Sequence, residues 1–270
     1  MARSSQLIGW FVTRPARPAV LGLMIAAAPW LGAAQAEVQI GADNNNLDNP
    51  FVQPEGAGAD QSLQNGDALV GTRSVDVQIG LLGIDVLEGG RGRDVQIGGP
   101  DPGSPNNDRA FGGPGYDVFL WQPGDGSDFF DGGAQTDAVV FGKITTDDAN
   151  LPVLDPDTAL PEIDSTNVIG FCEVVDGADP DDAAALEELG LEHLVRFFAR
   201  GEVDDGDADG DDGLRVTLHL IDVEYVVCGP RVAGGPIEVF DLRVSPPELI
   251  DSIDDVGNAR LRTRLLDIVI

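Results

Sequence analysis

An aspartate recurs in phase with glycine-rich turns through residues 62–142, and this periodicity constrains the fold more than any other feature of the chain. Aligned on the aspartate, the unit has nine residues: GTRSVDVQI (71–79), GLLGIDVLE (80–88), GGRGRDVQI (89–97), GGPGYDVFL (112–120) and GGAQTDAVV (132–140). SLQNGDALV (62–70) is a degenerate leading copy, and two further copies carry insertions and end at NNDRAF (106–111) and GSDFFD (126–131). The aligned acids are Asp67, Asp76, Asp85, Asp94, Asp108, Asp117, Asp128 and Asp137. Self-similarity at a fixed short period describes stacked units rather than an irregular globule.

The triplet after each aspartate alternates as a minimal strand does, and the glycines ahead of it supply positive φ for tight turns. If two nonapeptides make one coil, every second aspartate stacks on the same edge. Asp76, Asp94, Asp117 and Asp137 then form one row, and Asp67, Asp85, Asp108 and Asp128 the other. Adjacent strands lie about 4.8 Å apart. Two carboxylates at that spacing repel by about 3–4 kcal/mol at an effective dielectric near 20. Such a row calls for a cation, and Ca²⁺ takes 6–8 oxygen ligands of the kind that carboxylates and turn carbonyls supply.

GGRGRDVQI and GGPGYDVFL keep every glycine and the aspartate of the pattern G-G-x-G-x-D-x-U-x, where U is a large apolar residue. The repeat therefore resembles the hemolysin-type calcium-binding (RTX) nonapeptide over about 80 residues; other copies lose glycines, at Thr72, Ser74, Leu81 and Gln135. The resemblance implies an all-β fold, a parallel β-roll whose turns bind Ca²⁺. The metal-site residues it implies are Asp76, Asp85, Asp94, Asp108, Asp117, Asp128 and Asp137, together with Gly90, Gly92, Gly113 and Gly115 of the turns. Gln78 and Gln96 occupy the apolar U position, 18 residues apart. Two arrangements remain open: an inward ladder of amides, or reversed faces with Val77, Ile79, Val95 and Ile97 packed under another element.

Of the 270 residues 47 are Asp or Glu and only 16 are Lys or Arg, a formal net charge of −31. Nucleic-acid binding needs a basic surface that this composition does not provide. Residues 1–36 hold Arg3, Arg14 and Arg17 and no acid, then an apolar run ending Ala34-Gln35-Ala36, and read as a secretory signal peptide. Without it 13 basic residues face 47 acidic ones, net −34. A secreted, extracellular or periplasmic protein can keep disulfides, and Cys172 and Cys228, both in strand-like contexts, are expected to bond.

The chain divides into a leader (1–36), an N-terminal segment or cap (37–61), the calcium-binding roll (62–142) and a β-rich C-terminal region that caps it (143–270). In the last, Asp179–Leu194 predicts a short helix, and 194–203, 214–228 and 237–244 predict strands. The acidic run Asp204–Gly213 opens like an EF-hand loop, but its twelfth position is Val216, and it reads as a solvated hairpin tip. No H-E-x-x-H, G-x-S-x-G or phosphate loop is present, and His193 and His219 read as structural. The expected function is a secreted Ca²⁺-binding module with a structural or interaction role. Its expected partners are calcium and a cell-surface or matrix component, with no nucleic acid and no membrane span after the leader. A calcium-dependent, polysaccharide-active β-helical enzyme is the alternative, with Arg91, Arg93 and Arg109 as its available cations.

Overall fold

The computed structural model describes residues 36–41, 66–100, 107–148, 151–166, 170–175, 180–199, 215–232 and 234–269. The expected leader (1–36), apart from Ala36, and the acidic run Asp204–Gly213 lie outside the described residues. The fold is all-β, with two short α-helices among the described residues. Strands β1 (Glu37–Ile40), β2 (Ala68–Val70), β3 (Asp76–Ile79), β4 (Val86–Glu88), β5 (Val95–Ile97), β6 (Arg109–Gly115), β7 (Val118–Trp121), β8 (Phe129–Gln135) and β9 (Ala138–Phe141) come first. A small pair, β10 (Lys143–Ile144) and β11 (Ile163–Asp164), precedes β12 (Gly170–Val175), α1 (Pro180–Leu189), β13 (His193–Ala199) and β14 (Arg215–Ile221). The chain ends through β15 (Tyr225–Cys228), β16 (Glu238–Asp241), β17 (Glu248–Ile250) and α2 (Ala259–Ile268).

From β2 to β9 successive strands alternate between two sheets. One sheet has the order β1-β3-β5-β7-β9-β15-β16-β17 and the other β12-β13-β14-β8-β6-β4-β2. The repeat strands pair in parallel, each with the strand two along in sequence, and antiparallel strands close one end of each sheet. The predicted helix and strands of the C-terminal half appear at 180–189, 193–199, 215–221, 225–228 and 238–241. The run 214–228 divides, however: β14 extends one sheet beside β8, and β15 extends the other beside β9. The parallel array therefore crosses residue 142 after a long excursion rather than stopping there.

Two apolar layers hold these sheets. Phe119, Val139 and Val226 of the first sheet pack on Leu87, Ala110, Phe130 and Leu220 of the second, with Phe119 and Phe130 stacked at 5.4 Å. On its other face the first sheet presents Val77, Ile79, Val95, Ile97, Val118 and Leu120 to Leu261, Leu265 and Ile268 of α2 and to Ile144 and Ile163. Burial on both sides explains why β7 (VFLW) and β9 (AVVF) are apolar at every position. Asn258 caps α2, accepting from the backbone N–H of Arg260 and Leu261.

Both arrangements considered for the glutamines hold together. Gln96 Nε2 donates to Gln78 Oε1 at 2.8 Å and Gln78 Nε2 to Gln39 Oε1 at 3.0 Å, an inward ladder between the sheets. The valines and isoleucines flanking each glutamine lie beneath α2 on the opposite face. Gln78 and Gln96 also reach the carbonyls of Glu88 and Phe111 across the core, so the amides tie sheet to sheet.

Cys172 on β12 and Cys228 on β15 are bonded, with Cα atoms 5.7 Å apart, and staple the two sheets across the buried core. The bridge closes a separation of 56 residues. A Cys172→Ser, Cys228→Ser protein is expected to lose about 4 kcal/mol of unfolding free energy in a urea titration.

Candidate metal centre

The aspartates sit at the entrances of the parallel strands, and the register places them in the two expected rows. Asp76 N–H donates to Asp94 Oδ1 at 2.8 Å, Asp94 N–H to Asp117 Oδ1 at 2.7 Å, and Asp117 N–H to Asp137 Oδ1 at 2.7 Å. The second row repeats this from Asp67 to Asp85 (2.6 Å), Asp85 to Asp108 (2.7 Å) and Asp108 to Asp128 (3.0 Å). The carboxylates of Asp85, Asp94, Asp108, Asp117, Asp128 and Asp137 thus lock the register of the neighbouring rung through one oxygen. All eight are buried.

The second oxygen is where the chemistry lies. Oδ2 of Asp94, Asp117 and Asp137 is buried and accepts no hydrogen bond. Such an atom bears the desolvation cost of burial without a hydrogen bond to offset it. Burial accordingly pushes the Asp94 carboxyl up to about 8, with further upward pressure from Asp117. Burial lifts Asp117 to about 7 and Asp137 to about 9. Asp76 is raised as well, chiefly by burial, while Thr72 N–H and hydroxyl pull it back down.

Glycine is what lets the turns close over these oxygens. A Cβ on Gly89 would stand 2.8 Å from both Asp94 Oδ2 and the Gly112 carbonyl, and one on Gly112 would stand 2.7 Å from the Gly132 carbonyl and 2.8 Å from Asp117 Oδ2. Gly90 and Gly113 adopt φ of +93° and +92° and approach the carbonyls of Thr72 and Gly90 on the preceding turn. Gly92 faces the Ser74 carbonyl and Asp94 Oδ1, and Gly115 the Gly92 carbonyl and Asp117 Oδ1, at separations too close for any side chain. At two of the positions where the pattern lacks glycine the backbone is strained: Leu81 holds φ +76° and Gln135 φ +100°. Gln135→Gly is expected to raise unfolding free energy by about 1 kcal/mol, the relief of strain exceeding the added chain entropy of glycine; a urea titration measures it.

The structure adds acids to the rows that the nonapeptide pattern did not mark. Glu37 pairs in register with Asp76, and Glu224 Oε2 accepts Asp137 N–H at 2.7 Å, so glutamates stand at both ends of the first row. The signal for the first was present, since Val38–Gly41 repeats VQIG of 77–80 and 95–98. Glu224 follows a glycine-free turn and gave no such signal. Asp125, in an inserted turn, is fully buried with Oδ1 unpartnered, and burial pushes it up to about 7.

One cation already serves the first row. Arg264 of α2 is buried, donates through Nη2 to the Arg93 carbonyl at 2.9 Å, and lowers the carboxyls of Asp94 and Asp117 electrostatically. Burial pulls Arg264 itself down to about 10. A single guanidinium does not neutralise Asp76, Asp94, Asp117 and Asp137 together. Among the described residues no three His, Cys, Asp or Glu side chains cluster as a metal-binding group. A cation in these turns would therefore draw on pairs of carboxylates and on backbone carbonyls. That all-oxygen donor set suits a hard divalent ion.

No family model, no curated protein and no solved structure matches this chain. Among the described residues no helix is long and apolar enough to cross a membrane.

Proposed function

We propose that the protein is a secreted calcium-binding β-roll of the hemolysin-type repeat kind, in which Ca²⁺ completes the fold and the folded roll serves a structural or interaction role. The observation that carries this is the row of buried carboxylates whose Oδ2 atoms, at Asp94, Asp117 and Asp137, face glycine-lined turns without a partner. Bound Ca²⁺ supplies the positive charge that keeps these acids ionised in a dry site. Asp76, Asp94, Asp117 and Asp137 would hold it on one edge, and Asp85, Asp108 and Asp128 on the other. Export to an oxidising compartment agrees with the Cys172–Cys228 bond and with the basic-then-apolar leader. Extracellular calcium in the millimolar range would fill even weak sites of this type.

The test is a calcium titration of chelated protein followed by far-UV circular dichroism, with bound metal counted by elemental analysis. Gain of β-structure with several calcium ions per chain is the expected result. Protein that keeps its spectrum in chelator and carries no calcium would end the proposal.

A further inference from the structure

In a chain with 47 acidic residues, the cleft between α2 and the turns of the first aspartate row has no carboxylate among the described residues that line it. Its walls are Arg73, Ser74, Val75, Gly92, Arg93, Tyr116, Gln135 and Arg260, around a volume of about 580 Å³. Three of the sixteen basic residues of the chain meet there. Arg73, Arg93 and Arg260 are exposed, and none of them forms an ion pair with a described carboxylate.

The repeat itself builds this concentration. Val75, Arg93 and Tyr116 each precede the aspartate of their unit, so they follow one another along the stacked turns at the spacing of adjacent strands, about 4.8 Å. Arg260 closes the cleft from the helix side: its guanidinium lies 5.5 Å from the centre of the Tyr116 ring, and its Nη1 reaches Tyr116 Oη at 3.4 Å. Beneath, Arg264 holds the Arg93 turn through the main-chain carbonyl and adds a further positive charge next to it. The lining thus offers guanidinium forks for oxyanions, a half-buried aromatic ring with an apolar face, and hydroxyl and amide groups at Ser74 and Gln135. A bare anion would use only the first of these.

We propose that this cleft binds an acidic oligosaccharide, its carboxylate or sulfate groups on Arg73, Arg93 and Arg260 and a sugar ring against Tyr116. The shared chemistry is an oxyanion on a hydroxylated ring. Distant acids of the chain oppose such a ligand weakly, because at physiological ionic strength the screening length is about 8 Å and the arginines act at contact. Charge-assisted bonds from guanidinium to oxyanion supply the affinity. This names a partner for the interaction role proposed above and rests on that reading.

Isothermal titration in calcium with an oligogalacturonate hexamer, its methyl ester, a sulfated heparin hexasaccharide and inorganic phosphate tests it. At least one of the two acidic glycans is expected to bind, with the ester and phosphate at least tenfold weaker; which glycan binds decides between carboxylate and sulfate. Arg93→Gln is expected to weaken binding about tenfold, and Arg73→Gln with Arg260→Gln about 100-fold, since each removes charged hydrogen bonds. Tyr116→Leu keeps the charge and is expected to weaken the glycan alone. Equal binding of the ester or of phosphate, failure of both acidic glycans, or unchanged affinity in the folded arginine variants would overturn the proposal. The last outcome is also what calcium bridging between glycan and surface acids would give. Calcium content and circular dichroism of the same samples separate the two proposals. Folded, calcium-loaded protein that ignores acidic glycans removes the cleft only, and arginine-dependent binding by calcium-free protein removes the calcium proposal only.

Discussion

Calcium added to chelated protein is expected to raise its melting temperature by roughly 15–30 °C. Each site filled at 100 times its Kd contributes about 2.7 kcal/mol through mass action. The first row offers three gaps, Asp76–Asp94, Asp94–Asp117 and Asp117–Asp137. Three filled gaps give about 8 kcal/mol, which is comparable with the whole stability of an ordinary domain. A chain of this size shifts by about 2–4 °C per kcal/mol. Thermal melts followed by circular dichroism in chelator, calcium, magnesium and sodium chloride measure the shift. Magnesium demands near-octahedral geometry at short distances and keeps its waters, so it is expected to give little of it. A shift reproduced in full by sodium chloride would instead assign the effect to screening of the net charge of −31.

The rows were legible because everything that specifies them is local. An aspartate every nine residues, glycines ahead of it and an apolar alternation behind it fix turn and strand without reference to the rest of the chain. What escaped depends on partners distant in sequence. β15 enters the array some eighty residues after β9, and Glu224 substitutes for aspartate at the end of a turn that has no glycine. α2 is ten residues long and carries Arg260, Arg262 and Arg264 among its leucines, so its pattern on paper is that of a charged surface segment. Its buried face exists only because the first sheet presents Val77, Val95 and Val118 to it. Gln78 and Gln96 illustrate the same limit: strand alternation showed that two faces differ, and only the second apolar layer shows that both are covered. The disulfide was accessible from two strand-like cysteines, but the fact that it joins opposite sheets was not.

Asp117→Asn is expected to change stability in opposite directions with and without calcium, and that reversal isolates the cation's role from the general acidity of the chain. In calcium-free protein the folded state raises Asp117 from 3.8 to about 7, Asp94 to about 8 and Asp137 to about 9. Below about pH 4 these groups are protonated in folded and unfolded chains alike, and they do not disfavour folding. Between about 4 and 9 the folded state holds protons that the unfolded chain has released, so stability falls as pH rises. Self-repulsion of the many surface acids gives the same sign, so the wild-type slope alone does not distinguish the two. The Asp117→Asn side chain keeps the oxygen that accepts Asp94 N–H at 2.7 Å and puts a neutral amide nitrogen in place of the unpartnered Oδ2. At pH 8 in chelator the substitution is expected to stabilise the protein by about 1–3 kcal/mol and to flatten the pH dependence, because each tenfold difference in proton affinity between folded and unfolded chain is worth about 1.4 kcal/mol. In calcium the same substitution takes a charged ligand from two adjacent gaps and is expected to cost about 3 kcal/mol or more. Urea titrations at pH 5 and pH 8, with and without calcium, give all four values. A variant destabilised in chelator as well as in calcium would mean that the Asp117 carboxylate serves the calcium-free fold itself, through its charge beside Arg264, rather than a bound cation.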